Sequence, residues 1–388
     1  MKLRIELNFS NCIKAEMILV TLIILFTILG ASAAISACFA LSFIVLLIYA
    51  LARASVRRYD SLPILLIVAA VLNVVINAAL SGEAQISFDY FKKLIMFVAY
   101  MLLICFAADD SVTKGTTDLI RLLPFAGALI SVLSYFFFGN TAKLGSVGIT
   151  LGFSNPNFTG MWLLHLAIYT FLFMLSRGGQ LLLQLLALVM FALLDYLIYL
   201  TGARSAMIGI AFFTLLCLIG KFPRLRIAKN RVFIALIILA PIVIVLIYRY
   251  LLNSKWFNNM FAFMVSEGKS LSSRLYIWNY SMKFFKASPI LGDYCGISSG
   301  LGASQLHNTH LDVLCSYGLL PFVLFLWHND RACRKVSAHK LFYPNYCALC
   351  GFLAVVLMGS FEAAVVSGAM GLNLLTAGLI VLANEREA

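Results

Sequence analysis

Residues 180–200 of the chain read QLLLQLLALVMFALLDYLIYL. A run of this length with one acidic residue is typical of a transmembrane helix, because about 20 apolar residues cross the hydrocarbon core and satisfy their own backbone hydrogen bonds. The whole sequence is similar, with 62% hydrophobic residues, 12% charged residues and a mean hydropathy of +0.98. A soluble protein of 388 residues could not cover that much apolar surface. The composition therefore predicts an integral membrane protein.

Comparable apolar windows recur along the chain. They predict about twelve transmembrane helices, near residues 16–30, 32–51, 62–80, 91–107, 119–139, 158–175, 180–200, 203–220, 232–252, 311–328, 344–363 and 366–383. No linker rich in Pro, Gly or Ser divides the sequence, so we predict one polytopic domain over residues 1–388. The expected fold class is an all-α integral membrane bundle.

The Lys and Arg residues set the expected orientation, because positive charge accumulates in short cytoplasmic loops. Most of the 29 basic residues fall on inner segments if both termini are cytoplasmic. Most of the others cluster on the outer side, between Arg204 and Lys286. The net charge of +13 is explained by the basic inner loops and their contacts with anionic membrane lipids, so we expect no nucleic-acid partner.

One long polar segment, residues 253–310, separates the ninth and tenth predicted spans and is expected to face outward. Within it, residues 272–285 predict an amphipathic helix, with an apolar stripe made of Leu275, Trp278, Met282 and Phe285. Ser272 or Ser273 is the candidate N-cap. We expect this helix to lie on the outer membrane surface.

Two arginines on the outer side are candidates for binding an anion. Arg204 follows the turn at Gly202 and is expected at a helix N-terminus, where free N–H groups and the helix dipole favour negative charge. Arg274 lies at the head of the amphipathic helix. The structural alternatives are a snorkelling arginine at a helix end and a solvated loop charge.

Two histidines precede the tenth predicted span: His307, which is followed by Asn308, and His310, which is followed by Asp312. The structural alternative is that both histidines are hydrogen-bonded packing residues. The two rings share one face if the helix has already begun, an arrangement that could bind a metal. The His-Glu-x-x-His pattern is missing, however, so we predict neither a metal nor any other cofactor.

Further polar residues are predicted on the same side. Asn157 lies in the outer loop 152–159 and could bind a sugar; the alternative is turn chemistry around Pro156, with Asn157 as the N-cap. The acids Asp195 and Glu362 lie at the outer ends of two predicted spans, where an ionisable group suggests function. The alternative for Asp195 is an orienting ion pair with Arg204.

Two arginines beside a histidine suggest a specific reaction class. Guanidinium groups match the oxygens of a pyrophosphate, and a neutral imidazole can remove a hydroxyl proton near neutral pH. Together they predict transfer of a group from a lipid-linked pyrophosphate to an alcohol. Arg204 and Arg274 would stabilise the leaving group, and His307 would activate the acceptor.

At these residues the chain resembles the O-antigen ligase and polymerase family of bacterial membrane glycosyltransferases. The matching elements are Asn-Pro-Asn at 155–157, Thr-Gly-Ala-Arg-Ser-Ala at 201–206, Ser-Arg-x-x-x-Trp at 273–278, Ser-Pro-Ile-Leu-Gly at 288–292 and His-Asn-x-x-Leu…Tyr-Gly-Leu at 307–319. The resemblance implies a GT-C-like bundle and a metal-independent, inverting reaction on an undecaprenyl-pyrophosphate-linked glycan. It maps the family's functional residues onto His307, Arg204 and Arg274. We assign substrate binding to Asn157, Asn308, His310, Asp312, Asp195 and Trp278.

The resemblance is compatible with two enzymatic functions, and a transporter is a third candidate class. The form of the motifs favours a polymerase of O-antigen or capsule repeat units, which acts on the outer face of the inner (plasma) membrane. The first alternative is a ligase that moves the glycan to the lipid A core of lipopolysaccharide. The second is a flippase or transporter of the same lipid-linked glycans. The expected partners are the glycan donor and acceptor and membrane lipids, with a chain-length regulator as a further candidate.

Overall fold

A computed structural model describes residues 8–56, 68, 71–72, 75, 88–110, 112–138, 148–153, 155–251, 271–293, 306–339, 341–363 and 370–385. Within these ranges the regular elements are α-helices and two short 3-10 helices, Pro223–Leu225 and Ile227–Lys229. The α-helices are α1 Phe9–Ile28, α2 Ser32–Val56, α3 Phe88–Asp109, α4 Lys114–Phe138, α5 Pro156–Ser176, α6 Leu181–Thr201, α7 Arg204–Gly220, α8 Arg231–Leu251, α9 Leu271–Ala287, α10 Thr309–Tyr317, α11 Leu319–Ser337, α12 Tyr343–Met358 and α13 Met370–Ala383.

Five of these helices are long and apolar enough to cross a membrane: α1, α2, α4, α5 and α6. Shorter apolar helices occur at Arg204–Gly220, Arg231–Ile247, Tyr343–Met358 and Gly371–Ala383. The prediction of an all-α membrane protein is confirmed. The count of twelve spans stays a prediction, since most of the third span, 62–80, lies outside the described residues. Most of the predicted outer loop, residues 253–310, also lies outside the described residues.

The core lies around α5, α12 and α13. Helix α12 is buried along almost its whole length between α7, α8 and α13, and α5 packs against α4, α6 and α7. Trp162 of α5 lies against Gly371 of α13, where a side chain at position 371 would collide with the indole ring. In contrast, α6 buries few residues and exposes half of its leucines, as expected for a helix that faces lipid.

The predicted span 311–328 is not one helix. It breaks at Gly318, which has a φ of +84° and separates α10 from α11. The turn after α9 packs against this break: the amide of Leu319 donates to the carbonyl of Pro289 at 2.9 Å, and the amide of Asp293 donates to that of Cys315 at 2.8 Å. The motifs at 288–292 and 307–319 therefore contact each other, which sequence periodicity could not show.

We expect Gly318→Ala to lower the melting temperature of the detergent-solubilised protein, as measured by differential scanning fluorimetry. A Cβ at Gly318 would lie 2.0 Å from the carbonyl oxygen of Ile290, in a backbone conformation that L-residues rarely adopt. The cost should be at least about 1 kcal/mol. Gly178→Ala is the matched control, because a Cβ there meets no atom within 4 Å. Equal melting temperatures for the two variants would contradict the close approach.

The amphipathic helix predicted within 272–285 is confirmed as α9, with two corrections. Ser272 and Ser273 lie inside the helix, so neither is its N-cap. The apolar face packs against α8 and α10, where Trp278 is 4% exposed and contacts a small core that contains Val245, Leu306 and Leu311. This face is therefore used for packing within the protein, and the helix does not simply rest on a lipid surface.

Helix α3 carries charged groups near both of its ends. Near its start, Lys93 forms a buried ion pair with Asp312 of α10 at 3.0 Å. At its other end, Asp109 pairs with Lys335 of α11, and Arg53 of α2 lies 3.8 Å from Asp109. We call Asp109, Lys335 and Arg53 the Asp109 cluster. Lys93 and Asp109 are sixteen positions apart on one helix, or roughly 24 Å along its axis. The bundle therefore has one polar end near α10 and another near Asp109.

Candidate functional site

The candidate site is built around the carboxylate of Glu362, which follows α12. One carboxylate oxygen, Oε1, accepts a hydrogen bond from Nη2 of Arg274, and Oε2 lies 3.0 Å from Nδ1 of His307. Glu362 is only 2% exposed, while the side chains of Arg274 and His307 are 23% and 34% exposed. A buried anion thus links Arg274 of α9 to His307, which lies just before α10.

The backbone of His307 is strained. Its φ of +50° is unusual for a residue with a Cβ, and such conformations cost about 1–3 kcal/mol. The residue before it is fixed by Trp278, whose Nε1–H donates to the carbonyl oxygen of Leu306 at 2.9 Å. Left-handed backbone at a non-glycine residue is concentrated at functional sites, where surrounding contacts enforce it. Through its bond to Leu306, Trp278 therefore stabilises the backbone at His307.

The residue after His307, Asn308, is also held in place by hydrogen bonds. Asn308 caps α10 by accepting from the amide of Leu311 at 2.8 Å, and its own Nδ2 donates to the carbonyls of Pro241 and Ser360 at 2.9 and 2.8 Å. This side chain therefore has its hydrogen-bonding groups engaged inside the protein. Its contacts join α8, α10 and the segment after α12 at one point directly behind the His307 ring.

The hydrogen bond to Glu362 determines which nitrogen of His307 can act as a base. A carboxylate can only accept a hydrogen bond, so Nδ1 carries the proton toward Glu362. Nε2 is then left as the acceptor. This is the arrangement in which a carboxylate orients a histidine that removes a proton from a hydroxyl group.

Arg204 lies at the same end of the bundle but outside this cluster. It is the first residue of α7, which confirms its predicted place at a helix N-terminus after the left-handed Gly202. Helix α7 runs antiparallel to α12, since a Cβ at Gly209 would lie 3.7 Å from the carbonyl oxygen of Ala354, in the second half of α12, whereas a Cβ at Gly220 would meet the ring of Tyr346, near the start of α12. The start of α7 is therefore level with the end of α12, which leads into Glu362. Its guanidinium is exposed.

Asp195 and Asn157 are not brought into the cluster. Asp195 is exposed on α6, and within the described part of the chain no ion pair joins it to Arg204, so the orienting pair considered above is not found there. The N-cap of α5 is Asn155, whose side chain accepts from the amide of Phe158 at 2.8 Å. Asn157 is therefore not the cap, and it lies half-buried in the first turn.

His310 and Asp312 are buried behind the site, each 3% exposed. Asp312 is held by Lys93, and His310 faces the interior against Phe325, with ring centroids 5.3 Å apart. Neither side chain is placed to reach a substrate beside His307. Across the residues that the structure describes, no three His, Cys, Asp or Glu side chains converge in a way that could hold a metal ion.

Sequence reasoning noticed Glu362 only as an acid on the expected side and did not place it in the site. It missed Lys93 altogether. The sequence does contain a signal for Glu362, because this acidic residue lies between two apolar stretches, 344–361 and 363–383, where a charge is costly unless it is paired. Its partners, at positions 274 and 307, could not be read from spacing.

A comparison with protein-family models identifies one matching region. Residues 189–326 match the family model Wzy_C, described as O-Antigen ligase. The matched region includes Arg204, Arg274 and His307 and ends before Glu362. No curated protein sequence matches the chain.

Proposed function

Since the match supports membership of the O-antigen ligase and polymerase family, we propose that this membrane protein is a glycosyltransferase that polymerises undecaprenyl-pyrophosphate-linked repeat units. The observation that carries the proposal is the Glu362 carboxylate shared by His307 and Arg274. It combines an oriented base with a cation suited to an anionic leaving group.

The proposed reaction is a direct displacement. Nε2 of His307 takes the proton of the acceptor hydroxyl as its oxygen bonds to the anomeric carbon of the donor. The bond between that carbon and the pyrophosphate oxygen breaks at the same time, with inversion. Arg274 uses one guanidinium donor on Glu362 and has others to bind the leaving pyrophosphate, and the exposed Arg204 supplies a second cation.

Two features support a site that faces the outside of the inner membrane, with cytoplasmic termini. The short-loop charges predict that Arg53 and Lys335 lie on the inner side. Both belong to the Asp109 cluster, at the end of α3 opposite Lys93 and Asp312. Because Asp312 lies in the helix that begins just after His307, the site belongs to the opposite end of the bundle from these basic residues.

The motif form at 155–157 and 273–292 favours a polymerase over a ligase, as argued from the sequence. Purified protein in lipid nanodiscs with lipid-linked repeat units alone should yield a ladder of lengthened glycans. A protein that makes no ladder but transfers glycan to added lipid A core would be a ligase. Failure of both reactions, with movement of the lipid-linked glycan across a vesicle membrane, would favour the flippase.

We expect Arg274→Lys to lower kcat in the ladder assay by about 10-fold, although the positive charge is kept. One ammonium cannot bind the Glu362 carboxylate and a phosphate oxygen with the planar geometry of a guanidinium. Complete removal of such a donor typically costs about 100-fold or more. Arg334→Lys is the matched control, because Arg334 pairs with Asp330 within α11. Full activity of Arg274→Lys would show that Arg274 contributes only its positive charge to the reaction.

A further inference from the structure

Helix α6 presents side chains for helix packing on two sides. One side packs within the protein, mainly against α5. Its buried residues are Ala187, Met190, Leu194, Leu197, Ile198 and Thr201. On the other side of the helix, six residues are exposed, namely Leu181, Leu185, Leu188, Ala192, Asp195 and Tyr199. They are four, three, four, three and four positions apart, which is the 3.5-residue repeat by which one helix packs along another. We call these six residues the α6 seam.

Asp195 makes the seam a costly surface to leave in lipid. It is the one charged residue of α6, and it lies six positions before the last residue, or roughly 9 Å along the axis from that end. Within the described part of the chain its carboxylate has neither a hydrogen bond nor an ion pair. Acyl chains offer no hydrogen-bond donor, so an ionisable group in a span requires a partner.

The neighbouring line of α6 is the kind of surface that lipid can cover. Leu182, Leu186, Val189 and Tyr196 are exposed there, and none of them is charged. Lipid tails are as apolar as leucine, so they cover such side chains without cost. The seam differs from this line by its carboxylate. Lipid therefore accounts for the neighbouring line and does not account for the seam.

Tyr199 is the second polar member of the seam, and its chemistry complements that of Asp195. It is 64% exposed, and its hydroxyl makes no hydrogen bond to any residue that the structure describes. Side chains of an α-helix lean toward its N-terminus, so Tyr199 covers the turn that carries Asp195. A phenol O–H donates and a carboxylate accepts. The seam thus holds an unused donor and an unused acceptor one turn apart.

We propose that the α6 seam is a dimer interface, along which α6 of a second copy of this chain packs in parallel. Both copies enter the membrane in the same orientation, so identical seams meet about a two-fold axis. Tyr199 of each copy then donates a hydrogen bond to Asp195 of the other. The three leucines pack against their equivalents, and Ala192 lets the two backbones approach closely.

A second copy fits the seam because the seam is complementary to itself. The same two side chains supply both hydrogen bonds, and the symmetry of the pair makes both bonds equivalent. A different membrane protein would have to bring a donor to Asp195 and an acceptor to Tyr199. No member of the Glu362 cluster belongs to α6, so the dimer leaves that cluster uncovered. The proposal therefore goes beyond the proposed function and does not rest on it.

Cross-linking in native membranes tests which line of α6 meets the second copy. With a short bifunctional thiol reagent that crosses membranes, we expect Leu188→Cys to give covalent dimers and Leu186→Cys to stay monomeric. Leu186 is the matched control, because it is an exposed leucine at almost the same depth on the neighbouring line. The unsubstituted chain is the blank, since eight of its nine cysteines are buried. Equal cross-linking of the two variants would overturn the interface.

Single-molecule photobleaching of the full chain in proteoliposomes measures the dimer equilibrium. We expect Tyr199→Phe, which removes only the hydroxyl donors, to raise the dissociation constant about 10-fold, as is typical of lost interhelical hydrogen bonds. Asp195→Leu should have the same effect, and the double variant should be no weaker than either single variant, because the same bonds are lost. Tyr196→Phe, on the neighbouring line, is the control and should leave the dissociation constant unchanged.

The unsubstituted chain decides the question even if a variant misfolds. Monomers at every protein-to-lipid ratio would overturn the proposal. A complex with a different membrane protein through the seam, in place of the dimer, would overturn the second copy as its occupant. A dimer unaffected by Tyr199→Phe would overturn the proposed hydrogen bonds. These measurements do not use activity, so an inactive dimer would contradict the proposed function and support the interface.

Discussion

Replacement of His307 by alanine should abolish the glycan ladder, with turnover reduced by about 10²–10⁴-fold. The imidazole is the one group in the Glu362 cluster that can remove the acceptor proton, because Arg274 carries no acceptor and Glu362 is committed to both neighbours. The measurement is single-turnover formation of the first lengthened product with radiolabelled lipid-linked repeat units. Donor affinity should change little, since the pyrophosphate is held by the arginines.

His339→Ala is the matched control for this experiment. His339 is exposed just beyond the C-terminal end of α11, at the end of the bundle where Lys335 pairs with Asp109, so its loss should leave the ladder intact. If His307→Ala formed the first product at the wild-type rate, the assignment of the base would be wrong. Loss of donor binding in His307→Ala would instead assign this histidine to substrate recognition.

The second large effect is expected for Glu362→Gln, which keeps the shape of the side chain and removes its charge. Arg274 and His307 then share a neutral amide in a nearly buried position. Breaking a buried charge pair by removing one partner costs about 3–5 kcal/mol. Part of this loss should appear as a lower melting temperature. The rest should appear as a fall in kcat of about 100-fold, because the amide has one acceptor oxygen for two donors, Arg274 and His307, and its NH2 group no longer fixes the Nδ1 proton.

Glu385→Gln provides the comparison, because Glu385 pairs with Arg121 away from the site. That variant should lose some stability without a change in kcat. A double-mutant cycle between Glu362→Gln and Arg274→Lys would measure the coupling directly, and the two effects should be clearly non-additive. Additive effects would show that the carboxylate does not act through Arg274.

Local signals predicted much of this fold. The turn at Gly202 and the position of Arg204 followed from a glycine between two apolar runs, and α9 followed from its 3.6-residue periodicity. Such features depend on residues near each other in sequence, so a sequence can show them. The membrane class followed from composition alone.

The features that could not be predicted from the sequence depend on contacts between distant segments. The break at Gly318 lies within an apolar run that reads as a single span, and the approach of Ile290 together with the positive φ explains why a glycine is required there. Glu362 could not be assigned because both partners come from other parts of the chain, at positions 274 and 307. The bond from the indole N–H of Trp278 to the carbonyl of Leu306 likewise arises only in the folded protein, so the sequence could not show that Trp278 supports the backbone beside His307.

Asp293 and Leu306 are each anchored by a hydrogen bond to another segment. The amide of Asp293 donates to the carbonyl of Cys315, and the carbonyl of Leu306 accepts from the indole N–H of Trp278. These bonds tie α9, which carries Arg274, to α10, which begins just after His307. The spacing of the arginine and the histidine is therefore maintained by main-chain contacts as well as by the carboxylate that they share, so the pair should stay in place when a substrate competes for that carboxylate.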